Sequence, residues 1–303
     1  DKAFAKFREL GFPTPRVENY KYTDLREPLS VDYGLNIKRM NFPVNPYDVF
    51  KCDVPGISAY LYFVVNDAFY PVENDKNKSL PEGVIITSMR QASEDYPDLV
   101  EKYISKLAEK HVDGMIAFNG AFAQDGFFIH VPKNVIIDGP IQIINIMRSD
   151  VDFMANSHNL VIVEEGAKAQ VLVCDHTVDD VRFFSNRVTE VFVGENAFYE
   201  HYKLENVSRK TTDVSTLLID QEKNSNVLGN LLTLHNGITR NNVEIDLDGE
   251  NCETYLCGMA LLDQNQVVDN YTSILHNKPN LHSNELFKYI LDDESKGGFT
   301  GRL

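Results

Sequence analysis

The sequence predicts a mainly β protein: a β-helix, or β-solenoid, over residues 113–303, preceded by a smaller N-terminal domain of helical or mixed α/β character over 1–112. Three observations predict it. The stretch DGFFIHVPKNVIIDGPIQIIN, residues 125–145, holds three short runs rich in Phe, Val and Ile between Pro-Lys-Asn and Asp-Gly-Pro turns. From about residue 115 onward, short apolar runs alternate with Gly, Asn and Asp turns, with no long helical pattern between them. Related strand–turn–strand segments then recur to the end of the chain.

Taken in order, residues 1–30 open with an amphipathic helix (Phe4, Phe7, Leu10) stopped by Gly11, Pro13 and Pro15. ENYKYTDLREPL, residues 18–29, follows. Tyr20, Lys21 and Tyr22 could form a ligand platform, but no second motif element accompanies them, so a packed aromatic hinge is the favoured reading. Residues 31–87 read as short strands with turn-rich connections. SAYLYFVVND (58–67) is the clearest, and a polar loop at 74–83 leads into VIITS (84–88). A helix begins at Pro97, with Leu99, Val100, Tyr103, Leu107 and Ala108 on one stripe and Lys102, Lys106 and Lys110 on another face. It is expected to cover the open end of the solenoid, and Val112-Asp113-Gly114 to be the domain boundary.

The recurring segments are 160–173, 190–204, 216–232, 244–262 and 289–303. Aligning Val163, Val193, Ile219 and Leu247 gives spacings of 30, 26 and 28 residues, and the last interval, 44 to Leu291, should contain an extra half-turn or a missed repeat. Helix-free repeats of that length suit coils of a β-helix. Leucine-rich and ankyrin signatures are absent, propeller blades need about 40 residues each, and a two-sheet sandwich is the structural rival. Asn196, Asn224, Asn226, Asn241, Asn242 and Asn251 are read as turn residues, because Asn tolerates the left-handed backbone of solenoid corners.

Composition narrows the function. A net charge of −16 argues against sequence-independent nucleic-acid binding, and KNK at 76–78 is the nearest thing to a basic patch. No apolar run approaches the roughly 18 residues of a membrane helix. DKAFAKFREL has no signal-peptide core, and four cysteines (Cys52, Cys174, Cys252, Cys257) make no disulfide framework, so a cytoplasmic location is expected. There is no Gly-rich phosphate loop and no Ser or Cys beside a His in a nucleophile motif.

The candidate metal ligands are weak. Cys252 and Cys257 are one pair where zinc and cluster sites use two, and five residues apart in a strand their side chains face opposite ways. Cys174 and His176 share a strand face but lack a third ligand, and His130, His158, His201, His235, His276 and His282 stand singly beside turns. Acidic residues recur at Glu164-Glu165, Asp179-Asp180, Asp246 with Asp248, and Asp292-Asp293-Glu294. Some β-helical lyases and hydrolases use such carboxylates, some with calcium. A carbohydrate-active enzyme acting on acidic polysaccharide is therefore the alternative function, although the chain has no Trp for a sugar platform. A β-helical adhesin would want a secretion signal.

ENYKYTDL, FNGAFAQDGFFIHVPKNVIIDGPIQIINI, HNLVIVEEGAKAQVLV and PNLHSNELFKYILDDESKGGFTGRL together resemble the SufB/SufD family of iron–sulfur cluster assembly scaffold subunits, the first block its SufD branch most closely. The blocks run in order over nearly the whole chain. The resemblance implies a right-handed parallel β-helix and a non-enzymatic subunit of a SufBCD complex, pairing with a SufB-like paralogue and a SufC-like ATPase. It implies no tightly bound cofactor, with iron or an iron–sulfur cluster held transiently in the complex. The family continues past GFTGRL into further coils, a Cys-x-His segment and an ATPase-docking helical domain. No catalytic or metal residue is therefore carried over, and the chain reads as C-terminally incomplete. A solenoid stopping at Leu303 leaves strand edges open, so the isolated chain is expected to dimerise through that end.

Overall fold

The computed structural model describes residues 2–35, 37, 60–70 and 79–303. Cys52, the KNK run, and most of the strand-and-turn reading of 31–59 and of the 74–83 loop lie outside the described residues. Helix α1 (Lys2–Leu10) ends at Gly11, whose φ of +64° is the left-handed conformation that stops a helix. Strands β1 (Tyr60–Val65), β2 (Ala68–Tyr70) and β3 (Ile85–Ser88) follow. Next come helices α2 (Met89–Asp95), α3 (Pro97–Tyr103), α4 (Lys106–Lys110) and α5 (Gly114–Phe122).

The rest is strand: β4 (Phe127–Val131), β5 (Ile141–Met147), β6 (Phe153–Val163), β7 (Lys168–Thr177), β8 (Phe183–Val193), β9 (Phe198–Asn206), β10 (Thr211–Gln221), β11 (Asn226–His235), β12 (Ile238–Leu247), β13 (Glu253–Leu262), β14 (Val267–His276), β15 (His282–Leu291) and β16 (Lys296–Arg302). Successive strands alternate between two eight-stranded sheets. One runs β15-β13-β11-β9-β7-β5-β1-β2 and the other β16-β14-β12-β10-β8-β6-β4-β3. All pairings are parallel except β1–β2 and β3–β4, so the chain winds as a β-solenoid of about six turns. The strands β1 and β3, ahead of the helices, continue the same two sheets.

Register corrects the repeat alignment at one point. Val163 pairs with Val193 and Gln221 with Leu247, but Val193 lies opposite Gln221, not Ile219. The long interval does contain the expected half-turn: Leu247 pairs with His276 in one sheet, while Leu291 pairs with Leu262 in the other.

Inward side chains stack coil upon coil. Val161, Val163, Val191, Val193, Leu217, Ile219, Val243 and Ile245 meet Ile141, Ile143, Val171 and Val173 in one continuous core. Each such burial is worth roughly 1.5–3 kcal/mol. At one corner Asn196, Asn224, Asn251 and Asn280 adopt φ of 58° to 59°. Their amides form a ladder, Asn224 Nδ2 donating to Asn196 Oδ1 (3.0 Å) and Asn251 Nδ2 to Asn224 Oδ1 (3.1 Å). Asn226, Asn241 and Asn242, expected at turns, lie within β11 and β12 instead.

The helices do not cover the solenoid's end. They lie along the outward face of the β4–β14 sheet, where Met89, Ala92 and Val100 pack on Phe128, Leu160 and Ile162, and Leu107, Ala108 and Ile116 on Val188 and Leu218. An open end offers backbone edges to pair, whereas this face offers an apolar surface that an amphipathic helix can bury. The single helix expected from Pro97 is broken at Ser105, which has φ +64°. The cause is Glu190 of β8, fully buried, whose carboxylate accepts Ser105 N (2.6 Å), Leu107 N (2.7 Å) and Ala108 N (3.0 Å). Two further helices start at side-chain caps, Ser88 accepting from Gln91 N and Asp113 from Ile116 N. Tyr20 is the packed residue of its hinge, 1% exposed with its hydroxyl donating to Asp113 Oδ2 at 2.6 Å, whereas Tyr22 is exposed. Among the described residues no helix is long and apolar enough to cross a membrane.

Candidate functional site

Cys252 sits in a corner inside the solenoid core, its thiol donating to Glu222 O (3.1 Å) and Gly249 O (3.3 Å). Cys257 lies on β13 next to the inward Leu256, half-buried on the outward side, in register with Asn230 and Leu286. The structure therefore does not bring the two thiols to one site. Cys174 and His176 share the outward face of β7. Cys174 accepts from Gln142 Nε2 (3.4 Å) among Phe63, Ile144 and Ile146, and the His176 Nε2 is buried without a hydrogen-bond partner. The remaining histidines named from the sequence mostly serve as ordinary hydrogen-bonding groups: His130 with Glu164 (3.1 Å), His235 with Val207 O (2.6 Å) and His276 with Ser283 (2.9 Å). His158 is held between Asn119 (2.9 Å) and Glu190 (2.8 Å), beneath α5.

A cluster of buried charged groups lies inside the solenoid, where His201, expected beside a turn, sits in the middle of β9. Strand β9 turns Tyr199, His201, Lys203 and Glu205 inward, all of them buried. Lys203 Nζ donates to Asp213 Oδ2 (2.6 Å) and Asn241 Oδ1 (2.8 Å). Arg187 pairs with Asp175 (2.8 Å), which also accepts from Asn145 Nδ2 (2.8 Å). Glu205 accepts from Thr239 (2.7 Å) and Thr233 (3.0 Å). From Asn241 the network runs on to Asn270 Oδ1 (2.8 Å), and from Asn270 Nδ2 to the Tyr289 hydroxyl (2.6 Å) in β15.

Electrostatics follow from this enclosure. Burial pushes Glu205 up to about 7, with Lys203 opposing. Burial pulls His201 down to about 4, and the charges of Lys203 and Arg187 act the same way. Burial also raises Asp175, but Arg187 and Lys203 outweigh it and hold the carboxyl below its usual range. Amide links such as Asn241 and Asn270 orient charges but relay no proton, so the interior is a fixed, charge-balanced polar core. Its sequence signal is the run FYEHYKLEN, in which polar and aromatic residues occur on both faces and Leu204 is the single aliphatic one. Register against Val171 and Val173 decides which face turns in.

The acidic residues named from the sequence are mostly salt-bridged or hydrogen-bonded surface groups: Glu165 with Lys133 (3.0 Å), Asp179 with Ser149 N (2.8 Å), Asp180 with Lys210 (2.8 Å). Asp246 and Asp248 differ. With Asp220 they bring one ligand oxygen each within 4.8 Å of one another, the only such group of three found among the described residues. Lys110 and His111, the latter without a sequence signal of its own, already pair with Asp246 there.

Two family models match the chain: the SufBD protein N-terminal region over residues 1–143, and the SUF system FeS cluster assembly SufBD core domain over residues 145–303. Similar proteins include an iron-sulfur cluster assembly SufBD family protein of Synechocystis, 23% identical over 97% of this chain and 66% of the relative. Iron-sulfur cluster assembly protein SufD of Escherichia coli is 24% identical over 97% of this chain and 66% of its own length. SufD of Bacillus subtilis is 31% identical over 43% of this chain and 30% of its own. The chain thus spans about two thirds of the length of the first two.

Proposed function

The chain belongs to the SufBD family of iron–sulfur cluster assembly proteins, and from that premise we propose that it acts as a scaffold subunit of a SUF complex, beside a SufB-like paralogue and a SufC-like ATPase. The observation that carries this reading is the ordered match of both family regions along the whole chain. The architecture supports it: a stiff solenoid with a salt-bridged interior, whose titratable groups are engaged with one another rather than turned toward a cleft. In this reading the chain performs no catalysis of its own, and iron or a nascent cluster is cargo of the assembled complex, held only in transit. Family membership favours this over carbohydrate chemistry.

Co-expression of the full-length protein with a SufB-like and a SufC-like subunit, followed by affinity purification on this chain, tests the reading. Recovery of both subunits at fixed stoichiometry after size exclusion is expected. Elution of this chain without either partner would overturn it.

A further inference from the structure

The hinge segment of residues 27–33 runs beside the starts of β10, β12 and β14 and encloses with them a cleft of about 470 Å³. Its floor is the paired row Thr212, Ile238 and Val267. Arg182, Arg209 and Lys210 line its rim from the turns that precede β8 and β10. Arg182 and Lys210 stand immediately before the paired Phe183 and Thr211, so their backbones lie one strand spacing apart, about 4.8 Å. The chain as a whole has 45 acidic residues to 29 basic ones, yet this cleft is lined by three cations and one carboxylate, Glu27.

Each cation also has an acidic neighbour outside the lining: Arg182 pairs with Asp152 (2.5 Å), Arg209 with Asp263 (3.2 Å) and Lys210 with Asp180 (2.8 Å). The three cationic side chains are 38% to 57% exposed, and ion pairs so exposed hold weakly, which leaves the cations able to turn to an anion in the cleft. Two neutral donors complete the set. Thr212 is 6% exposed, and its hydroxyl has no hydrogen-bond partner among the described residues. Nor has the hydroxyl of half-buried Tyr33, whose ring leans on Phe184 with centroids 6.0 Å apart. Burial pushes the Tyr33 hydroxyl up to about 12, with Arg182 opposing, so it keeps its proton and can donate.

We propose that this cleft binds a small organic phosphate monoester, its phosphate against Arg182, Arg209 and Lys210 and its organic body over Tyr33, Ile238 and Val267. The donor set selects the head group. A phosphate monoester offers three acceptor oxygens and nearly two charges to three cations, where a carboxylate offers two oxygens and one charge. The apolar floor selects an ester over the free ion, since only an ester has a body to bury there. The site needs no partner subunit, so it stands or falls on this chain.

Saturation-transfer difference NMR of the intact chain with phenyl phosphate tests this, with inorganic phosphate as competitor. Phenyl phosphate should bind about tenfold or more tighter than inorganic phosphate. Arg182→Gln combined with Lys210→Gln should weaken it by about tenfold or more, and Asp180→Asn, which releases Lys210, should strengthen it. Lys133→Gln, at an exposed cation elsewhere on the solenoid, should change nothing. The substituted side chains are exposed, and an unchanged thermal midpoint confirms that each variant is folded. No saturation transfer to phenyl phosphate, an unchanged affinity in the double variant, or an equal loss in Lys133→Gln would overturn the site. Inorganic phosphate binding as tightly as the ester would overturn the assignment of an organic body.

Discussion

Thr23 and Asp269 stand 246 positions apart in the chain, yet the Thr23 hydroxyl donates to Asp269 Oδ2 across 2.6 Å in a fully buried setting. Asp269 also receives Arg240 Nη1 at 2.6 Å, and the Arg240 guanidinium lies over the rings of Tyr20 (4.8 Å) and Tyr271 (5.4 Å). These contacts pin the N-terminal hinge to the outward face of β12 and β14.

Thr23→Val keeps the shape and removes one hydrogen bond to a buried carboxylate. A loss of about 1.5–3 kcal/mol is expected, because bonds to charged groups lie in that range. Urea unfolding with an unchanged m-value measures it, and an unshifted midpoint would show the hinge to be held by packing alone.

Glu190 holds three backbone N–H groups of the α3–α4 junction and one nitrogen of His158. Removing it orphans all of them in a dry setting. Glu190→Ala should destabilise the protein by about 3 kcal/mol or more, with Glu190→Gln intermediate, since a glutamine retains one acceptor oxygen. Thermal unfolding of the three proteins should rank them in that order. Equal losses for Gln and Ala would mean that charge, not capping, is what matters.

Inside the solenoid, Lys203 and Asp213 are each about 4% exposed. Lys203→Met strands a buried carboxylate and should cost about 3–5 kcal/mol, whereas replacing both, Lys203→Met with Asp213→Leu, should recover most of the loss. A double-mutant cycle reads the coupling directly. Additive losses would show that the pair is not energetically linked.

The same interior sets a pH dependence. His201 is depressed from 6.5 to about 4, so the stability tied to its neutral form is present above 6.5 and is lost as pH falls toward 4. That contribution is on the order of 3 kcal/mol. Glu205 is raised to about 7, so its contribution runs the other way, declining as pH rises from 4.5 to 7. The two should cancel between pH 4.5 and 6.5. In His201→Gln the Glu205 slope should stand alone, and stability should fall with rising pH across that window. A variant profile parallel to that of the unmodified chain would remove His201 from the account.

The parts that were legible in the sequence are local. Strand content shows as Val, Ile and Phe runs, corners as Asn and Gly, and the repeat as a spacing near 28 residues. The first helix was readable from Phe4, Phe7 and Leu10, and the opposite facing of Cys252 and Cys257 from their odd separation. The caps Ser88 and Asp113 are hard to read in the sequence, because the helices they start are short and no strong apolar stripe follows them.

What the chain's own sequence determined, then, is the solenoid, its corners and its place in the SufBD family, since each rests on residues adjacent in the chain or repeated down it. Only the tertiary structure decided that the helices lie along a sheet face, that Ser105 breaks one of them, that β9 turns His201, Lys203 and Glu205 inward, and that His111 meets Asp246. The physical reason is register. A strand of mixed polarity has two possible inward faces, and stacking against neighbouring coils chooses one. A buried carboxylate such as Glu190 bends whatever backbone supplies its donors, and those donors lie 82 to 85 positions away.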